Sequence, residues 1–366
     1  MKEDIIMSAK RISVLFILVA LIGLLVPASW ATDVSGHIAV NTTWDLAGSP
    51  YIVTATVWVD NGVTLTIDPG VTVKFNSNTD IENNGTLTAD GNAGNIITFT
   101  SNQGVPAGND WRALYFDNGS GLLDNCLIEY AGGSWNTSLY ITGSANVVVD
   151  STTIRECGLA GDRNEGIYTT ESGQLNVSHT QIYNCGWPVR LDGTYLPVFG
   201  NGNNFTGNEN DGIWNQMSNI TGTQTMYNPG VPYAHVGYDL NVPAGSQLTI
   251  NPGCTLKFDL YCKLLVDGTL IADATSVTAI YMTSFRDDNW GGDTNGNGSA
   301  NSPATNDWVG VRFTSTATNS CIMDYVQLRF AGCWNGGGVE IETSNPAITH
   351  CQINNCFTCP LDVQYD

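Results

Sequence analysis

The chain has 366 residues, a formal net charge of −21 and only 13% charged residues. This balance excludes nucleic acid as a general partner, which requires a basic face, and it disfavours anionic polysaccharides. Neutral glycans and divalent cations stay open as partners. The 40 glycines, with stretches rich in Thr, Asn, Val and Ile, are typical of an all-β protein with many turns.

Residues 1–31 have the pattern of a secretory signal peptide. A basic pair, Lys10-Arg11, precedes an apolar run over 12–26. Small residues at Ser29 and Ala31 then suit a cleavage site. An uncleaved membrane anchor is the alternative, but the apolar run is short for a bilayer span and no second span follows. We expect cleavage after Ala31, export, and no membrane span in the mature chain.

One phrase of the sequence occurs twice. Residues 62–75 read GVTLTIDPGVTVKF, and residues 245–258 read GSQLTINPGCTLKF. The spacing between the copies stays constant onward, since residues 84–87 match residues 267–270. A long internal repeat decides the architecture of a chain, because each copy is one structural module. We therefore predict two homologous modules, at 32–225 and 226–366.

The second module is shorter than the first. It stops at Asp366, at a point where the first module continues. An open end of a stacked β-structure favours aggregation. We therefore expect the second module to be truncated and the natural protein to continue.

A shorter period lies within each module. Ile128, Ile154 and Ile182 stand at matching places in successive units of the first module, as Leu328 and Ile353 do in the second. Each unit alternates apolar and polar residues and then turns at Gly or Asn, which is a strand signal. One coil of a parallel β-helix takes roughly 20 to 30 residues, and the spacing of these apolar residues falls within that range. We therefore predict that each unit forms one coil of a parallel β-helix.

The repeated segments resemble the right-handed parallel β-helix repeat proteins of the pectin-lyase-like superfamily, which bacteria export. In the first copy the resemblance is carried by Leu65–Phe75, Gly85–Ala89, Ile97–Ser101, Asp110-Trp111 and Cys126–Gly132. The second copy departs from it with Met282 in place of Phe99 and Val326 in place of Cys126. The resemblance implies the fold and an exported bacterial protein. It implies little about activity, because this superfamily includes lyases, hydrolases, esterases and adhesins.

The second copy contains an insertion. Its connection between Ser284 and Asn306 has 21 residues, against 7 between Ser101 and Asn109 in the first copy. Residues 286–298 read RDDNWGGDTNGNG, in which side-chain oxygens alternate. Alternating oxygens on a tightly turning loop can converge on one hard cation, as in the first half of an EF-hand loop.

The match to a calcium loop is incomplete. Its twelfth position is Ala304 where a Glu is expected, and no helix flanks it. Asp287, Asp288 or Asp307 would have to supply the missing carboxylate. We predict a structural calcium site, with a polar turn that binds no ion as the alternative; its ligands would be Asp288, Asp293, Asn295 and Asn297.

All ten cysteines follow residue 125, and export permits disulfides. We expect Cys356 and Cys359 to form a disulfide, with zinc binding or free thiols as alternatives. Cys157 and Cys185 occupy matching places in neighbouring units. They either bridge two coils or stack as small apolar side chains.

No catalytic residue is assigned. Glu129, Asp150 and Glu156 are interpreted as solvated turn charges, and the matching positions of His179 and His350 indicate a role in turns.

Two tryptophans are candidates for binding. Trp135 and Trp334 follow matching Tyr-Ala-Gly and Phe-Ala-Gly turns, and an exposed Trp can stack on a sugar ring. Packing of both rings against the next coil is the alternative.

The function expected is a secreted or cell-surface protein that is not an enzyme. It would serve adhesion or bind neutral glycans or cell-surface polymers. The alternative is a polysaccharide lyase or glycoside hydrolase.

Overall fold

The computed structural model describes residues 31–158 and 164–364. The predicted signal peptide, apart from Ala31, lies outside these residues. None of the helices in the described ranges is long and apolar enough to cross a membrane. These ranges consist of short strands that alternate buried and exposed side chains, with single-turn 3₁₀ helices at Leu46–Gly48 and Cys333–Asn335.

The first half of the solenoid contributes strands β1 to β18. They are β1 (Thr32–Ile38), β2 (Thr42–Trp44), β3 (Tyr51–Val59), β4 (Thr64–Ile67), β5 (Thr72–Phe75), β6 (Ile81–Asn83), β7 (Thr86–Asp90), β8 (Ile97–Ser101), β9 (Leu114–Asp117), β10 (Ser120–Asp124), β11 (Cys126–Glu129), β12 (Thr137–Thr142), β13 (Asn146–Asp150), β14 (Thr153–Arg155), β15 (Glu165–Glu171), β16 (Gln174–Ser178), β17 (Gln181–Tyr183) and β18 (Trp187–Gly193).

The strands of the second half are equally short. They are β19 (Val198–Phe199), β20 (Ile213–Asn215), β21 (Thr223–Met226), β22 (Tyr233–His235), β23 (Leu240–Val242), β24 (Gln247–Ile250), β25 (Thr255–Phe258), β26 (Lys263–Val266), β27 (Thr269–Asp273), β28 (Ile280–Ser284), β29 (Gly310–Phe313), β30 (Ile322–Asp324), β31 (Val326–Arg329), β32 (Val339–Ile341), β33 (Ala347–Thr349), β34 (Gln352–Asn354) and β35 (Leu361–Val363).

The strands stack in parallel into a β-solenoid of about 13 turns. Inward side chains form columns along its axis: Ile128 pairs with Ile154, and Ile154 with Ile182, all fully buried. In the second copy Leu328 pairs with Ile353. The predicted parallel β-helix with one coil per unit is therefore confirmed. A lone coil could not bury its inner face, so stacking is the source of the core.

Sequence shared by the two copies corresponds to shared packing. Trp111 stacks on Phe75 with ring centroids 3.9 Å apart, and Trp308 stacks on Phe258 at 4.5 Å. Each indole N–H donates to a backbone carbonyl, that of Glu129 or that of Arg329. Both tryptophans are fully buried, so each ring is part of the core.

The repeated phrase returns on a different face of the solenoid. We define face 1 as the stack β5–β8–β11–β14–β17 and face 2 as the stack that runs from the second half of β3 to β34. In the first copy the second strand of the phrase, β5, lies on face 1. Its second copy, β25, lies on face 2, because β22 pairs with β20 and β20 with β18. Face 2 comprises the second half of β3 with β6, β9, β12, β15, β18, β20, β22, β25, β28, β31 and β34.

This shift means that equivalent residues of the two copies point to different sides of the molecule. The division into modules at residue 225 stays a prediction.

Candidate functional site

An outward-facing row of large side chains runs along face 2. Its members are partly exposed and lie in register on neighbouring strands of face 2, from β3 to β20. We call them the outward row: Trp58, Glu82, Tyr115, Tyr140, Tyr168, Arg190 and Trp214. The row follows from the fold, because every second residue of a strand points outward and parallel register aligns those residues along the axis.

The members of the outward row contact one another. Tyr140 stacks on Tyr168 at 5.1 Å between ring centroids and meets Tyr115 edge-on at 5.1 Å. The Arg190 guanidinium lies 4.4 Å from the ring centroid of Tyr168 and 4.5 Å from that of Trp214. Stacked rings and cation–π contacts each stabilise such an arrangement by about 0.5–1.5 kcal/mol, so the row is an ordered surface.

Carboxylates surround the tyrosines of the row. Burial raises the pKa of Tyr115 to about 12, and the negative charges of Asp117, Glu82 and Glu171 contribute to the increase. The Tyr168 hydroxyl donates to Asp192 at 3.2 Å. The row therefore combines apolar ring surface with hydrogen-bond acceptors, and its carboxylates are accompanied by two cations, Arg190 within the row and Arg112 near Glu82.

Trp135 belongs to this surface. Its ring stacks on Tyr115 at 5.0 Å and lies 5.7 Å from Tyr140. Its indole N–H donates to Asp80 at 3.4 Å. The ring is half-buried, so it extends the outward row sideways and still presents surface to solvent.

Trp334 lies apart from the outward row. Its ring is 66% exposed and stacks on Tyr261 at 5.3 Å, with the two planes 5° apart. Tyr261 is itself 51% exposed and precedes β26, which is not on face 2. The shift between the copies therefore separates the two candidate tryptophans.

The backbone at Trp334 is left-handed, with φ 66° and ψ 32°, as it is at other bulky turn residues such as Tyr130, Tyr261 and Phe330. A bulky residue in this region is strained, and in this solenoid such strain recurs at the turns.

The insertion contains a buried ionic cluster. Arg329 donates to both carboxylate oxygens of Asp287 at 2.7 Å, and Thr283 donates to Asp287 at 2.5 Å. The Arg329 guanidinium lies 3.6 Å from the ring centroid of Trp290. Lys257, fully buried, donates to the Gly292 carbonyl at 2.5 Å. Burial lowers the pKa of Lys257 to about 8, although the nearby Asp carboxylates act to raise it.

The predicted calcium ligands lie in this insertion, close to the Lys257 ammonium. Asp293 accepts backbone N–H groups of Asn297 and Gly298 at 3.2 and 2.6 Å, and Asn295 accepts the same Asn297 N–H at 3.3 Å. The Oδ1 atoms of Asp288 and Asn297 are buried and have no hydrogen-bond partner among the described residues. No group of three or more His, Cys, Asp or Glu side chains in the described ranges has metal-binding geometry. Burial raises the pKa of Asp288.

The three carboxylates interpreted from the sequence as solvated turn charges all have partners, and the interpretation is wrong for Glu129, which is buried at the end of β11. Glu129 accepts two hydrogen bonds from Arg155, at 2.9 and 2.6 Å. Asp150 lies 2.8 Å from His179, and Glu156 accepts from Asn184 at 2.7 Å.

The two histidines predicted to serve turns are equivalent. Both have left-handed backbone, and His350 contacts Asp324 at the same 2.8 Å that separates His179 from Asp150.

Glu165 is a strongly perturbed carboxyl group beside the outward row, and sequence reasoning missed it. The residue is 1% exposed, with its Oε1 3.4 Å from Arg190 and its Oε2 without a partner among the described residues. Burial raises its pKa to about 7, although Arg190 acts to lower it.

The row itself was also missed. Its signal in the sequence is weak: an aromatic or Arg side chain at the outward position of successive coils, visible only after the coils are aligned.

All ten cysteines carry free thiols, so the predicted Cys356–Cys359 disulfide is wrong for this structure. Both residues are partly exposed on the last coil, and Cys356 donates to the Asn354 carbonyl at 3.5 Å. Cys157 and Cys185 are buried without a bridge. They stack as small apolar groups in adjacent coils, which is one of the two arrangements expected from the sequence.

A family model described as "Right handed beta helix region" matches residues 106–228, which contain β9 to β21 and most of the outward row. No curated protein and no solved structure matches the chain. The matched region and the parallel solenoid agree in fold and in repeat, so residues 106–228 are similar to a right-handed β-helix region.

Proposed function

We propose that this protein binds neutral glycans along face 2 and is not an enzyme. The observation that carries the proposal is the outward row, with Trp135 beside it. Aromatic rings pack against the apolar faces of sugars, and carboxylates such as Asp117 and Asp192 accept hydrogen bonds from sugar hydroxyls. The charge of −21 repels anionic polymers, which favours uncharged ones.

Trp334 supports a second contact point. An exposed, strained Trp stacked on Tyr261 offers a flat platform. Because it lies away from face 2, it would bind another chain or another segment of the same polymer. Two weak sites on one rigid body raise the overall affinity for a long polymer, as adhesion requires.

The proposal is tested by affinity electrophoresis in gels that contain a linear neutral polymer. The polymers are glucomannan, mixed-linkage β-glucan and pullulan, with polygalacturonate as the anionic control. We expect retardation by at least one neutral polymer and none by polygalacturonate. Tyr140→Ala should weaken retardation by about tenfold, as for a central interface residue. The control Tyr195→Ala, an exposed tyrosine outside the row, should leave it unchanged. Equal losses in both variants, or no retardation at all, would contradict the proposal.

An enzyme that cleaves carbohydrate is the alternative, and Glu165 is the observation that favours it. A carboxyl group whose pKa is about 7 is suited to general acid catalysis. Release of new reducing ends from the bound polymer, lost in Glu165→Gln, would establish the enzyme. We expect no release.

We also propose that calcium stiffens the insertion and that the protein is exported to the cell exterior. The unpartnered oxygens of Asp288 and Asn297 support the first statement. Calorimetric titration with calcium should give binding heat, and calcium should raise the melting temperature; neither effect is expected in Asp293→Asn. The absence of binding heat in the unaltered protein would end the calcium proposal.

Export is tested by N-terminal sequencing of the secreted protein, whose first residue should be Thr32.

A further inference from the structure

The outward row does not end at Trp214. It continues in register through Ala234, Lys257 and Thr283 on the next three strands of face 2. All three are fully buried. The row therefore has an open part and a covered part, and the change occurs between β20 and β22.

The insertion, defined as residues 285–305, provides the cover. Its Gly292 carbonyl accepts from Lys257, and its Thr294 carbonyl accepts from Asn210 at 3.0 Å. Thr294 is fully buried, and its methyl group lies against Gly212, the residue before β20.

An aromatic contact joins the insertion to the last open position of the row. The Phe285 ring is nearly parallel to Trp187 at 6.4 Å, and Trp187 lies 5.6 Å from Trp214. The Asp287–Arg329 ion pair and the stacking of Arg329 on Trp290 hold the insertion in this place.

We infer that the insertion closes one end of the outward row, so that the site receives the end of a linear glycan and not its interior. This inference rests on the proposed glycan binding. A chain that followed the row from Trp58 would run about 30 Å along the axis, at about 4.8 Å per strand, and would then meet Thr294 and Phe285. A chain that extended further in that direction would collide with the insertion.

The first copy supplies a matched short connection. Its residues 102–108 lie between Ser101 and Asn109. The side chains of Ser101 and Asp110 hydrogen-bond at 2.6 Å, as do those of Ser284 and Asp307. Asp110 accepts from the backbone of Ala107, and Asp307 from that of Ala304. Replacing 285–305 by 102–108 therefore keeps both ends of the connection.

The test counts binding sites on the unaltered protein. Glucomannan, mixed-linkage β-glucan and pullulan are each prepared as long and short chains, and saturation binding is measured at equal polymer mass. If the site takes chain ends, the number of sites per gram rises in proportion to the number of chains. An unchanged number of sites per gram overturns the inference and leaves glycan binding intact. No binding to any of the three polymers overturns both.

The short-connection variant then identifies the insertion as the stop. We expect its sites per gram to be independent of chain length, because the row is open through Thr283. Circular dichroism and retained binding verify that it is folded. If the number of sites per gram measured with the variant still rises with the number of polymer chains, another part of the protein closes the site and the inference fails.

Discussion

His235 is buried in a way that lowers stability. Neither ring nitrogen has a hydrogen-bond partner among the described residues, and the ring stacks on Phe258 at 4.8 Å. Burial lowers its pKa to about 3. The first copy has Val53 at this place, paired with Phe75 as His235 is paired with Phe258.

His235→Val should therefore raise the free energy of unfolding by about 2 kcal/mol, the cost of a buried unsatisfied polar group. The gain should grow as pH falls below about 6.5, because unfolded His binds a proton that the folded residue does not. Thermal unfolding between acid and neutral pH measures it, with the exposed His37→Val as control. A loss of stability at every pH would contradict this account.

Glu165 has the opposite pH dependence. Its pKa of about 7 in the folded protein, against 4.5 in the unfolded chain, means that folding retains a proton which the unfolded carboxyl releases. Stability is therefore lost as pH rises through this window. Glu165→Gln should remove that loss, on the order of 3 kcal/mol at pH 8.

Melting temperatures across this pH range measure the effect of Glu165→Gln. A variant less stable than the unaltered protein at pH 8 would show instead that the ion pair with Arg190 outweighs desolvation.

At the scale of single elements, the insertion depends on one ion pair. Asp287 is fully buried and accepts hydrogen bonds from Arg329 and Thr283. Asp287→Asn leaves Arg329 without its counter-charge beside the buried Lys257, and breaking one side of a buried pair costs about 3–5 kcal/mol. The loss should be local, because coils contact only their neighbours.

The rate of cleavage by trypsin measures this local loss of stability, because Arg286 lies within the insertion and its side chain is 38% exposed. We expect Asp287→Asn to be cleaved at Arg286 much faster, while Asp273→Asn, an exposed control, is cleaved at the original rate. Equal rates in both variants would show that the ion pair does not hold the insertion.

The strands and their period could be predicted because inward residues such as Ile128, Ile154 and Ile182 must be apolar in every coil. The insertion could be located, since the two copies differ in length there. Its contacts could not be predicted, because Thr294 packs on Gly212 from coils far away in sequence. The disulfide predicted for Cys356 and Cys359 was wrong, because a pair of cysteines two residues apart suits free thiols as well as a bridge.

At the scale of the whole molecule, the sequence repeat does not reveal on which side of the solenoid each copy lies. The constant spacing between the copies relates sequence positions but carries no information about rotation around the axis. Trp135 and Trp334 match in sequence, yet the structure places one beside face 2 and the other away from it. The outward row emerges only when the coils are stacked in register, so neither its length nor its covered end could be predicted from local patterns.

The central claim is that the outward row contacts the glycan. Hydroxyl-radical footprinting with and without the bound polymer measures this directly, because solvent-exposed tyrosines are oxidised and covered ones are not. We predict protection of Tyr115, Tyr140 and Tyr168, with Tyr195 and Tyr238, exposed outside the row, oxidised equally in both samples. Bound polymer that leaves the three row tyrosines fully reactive would contradict the account.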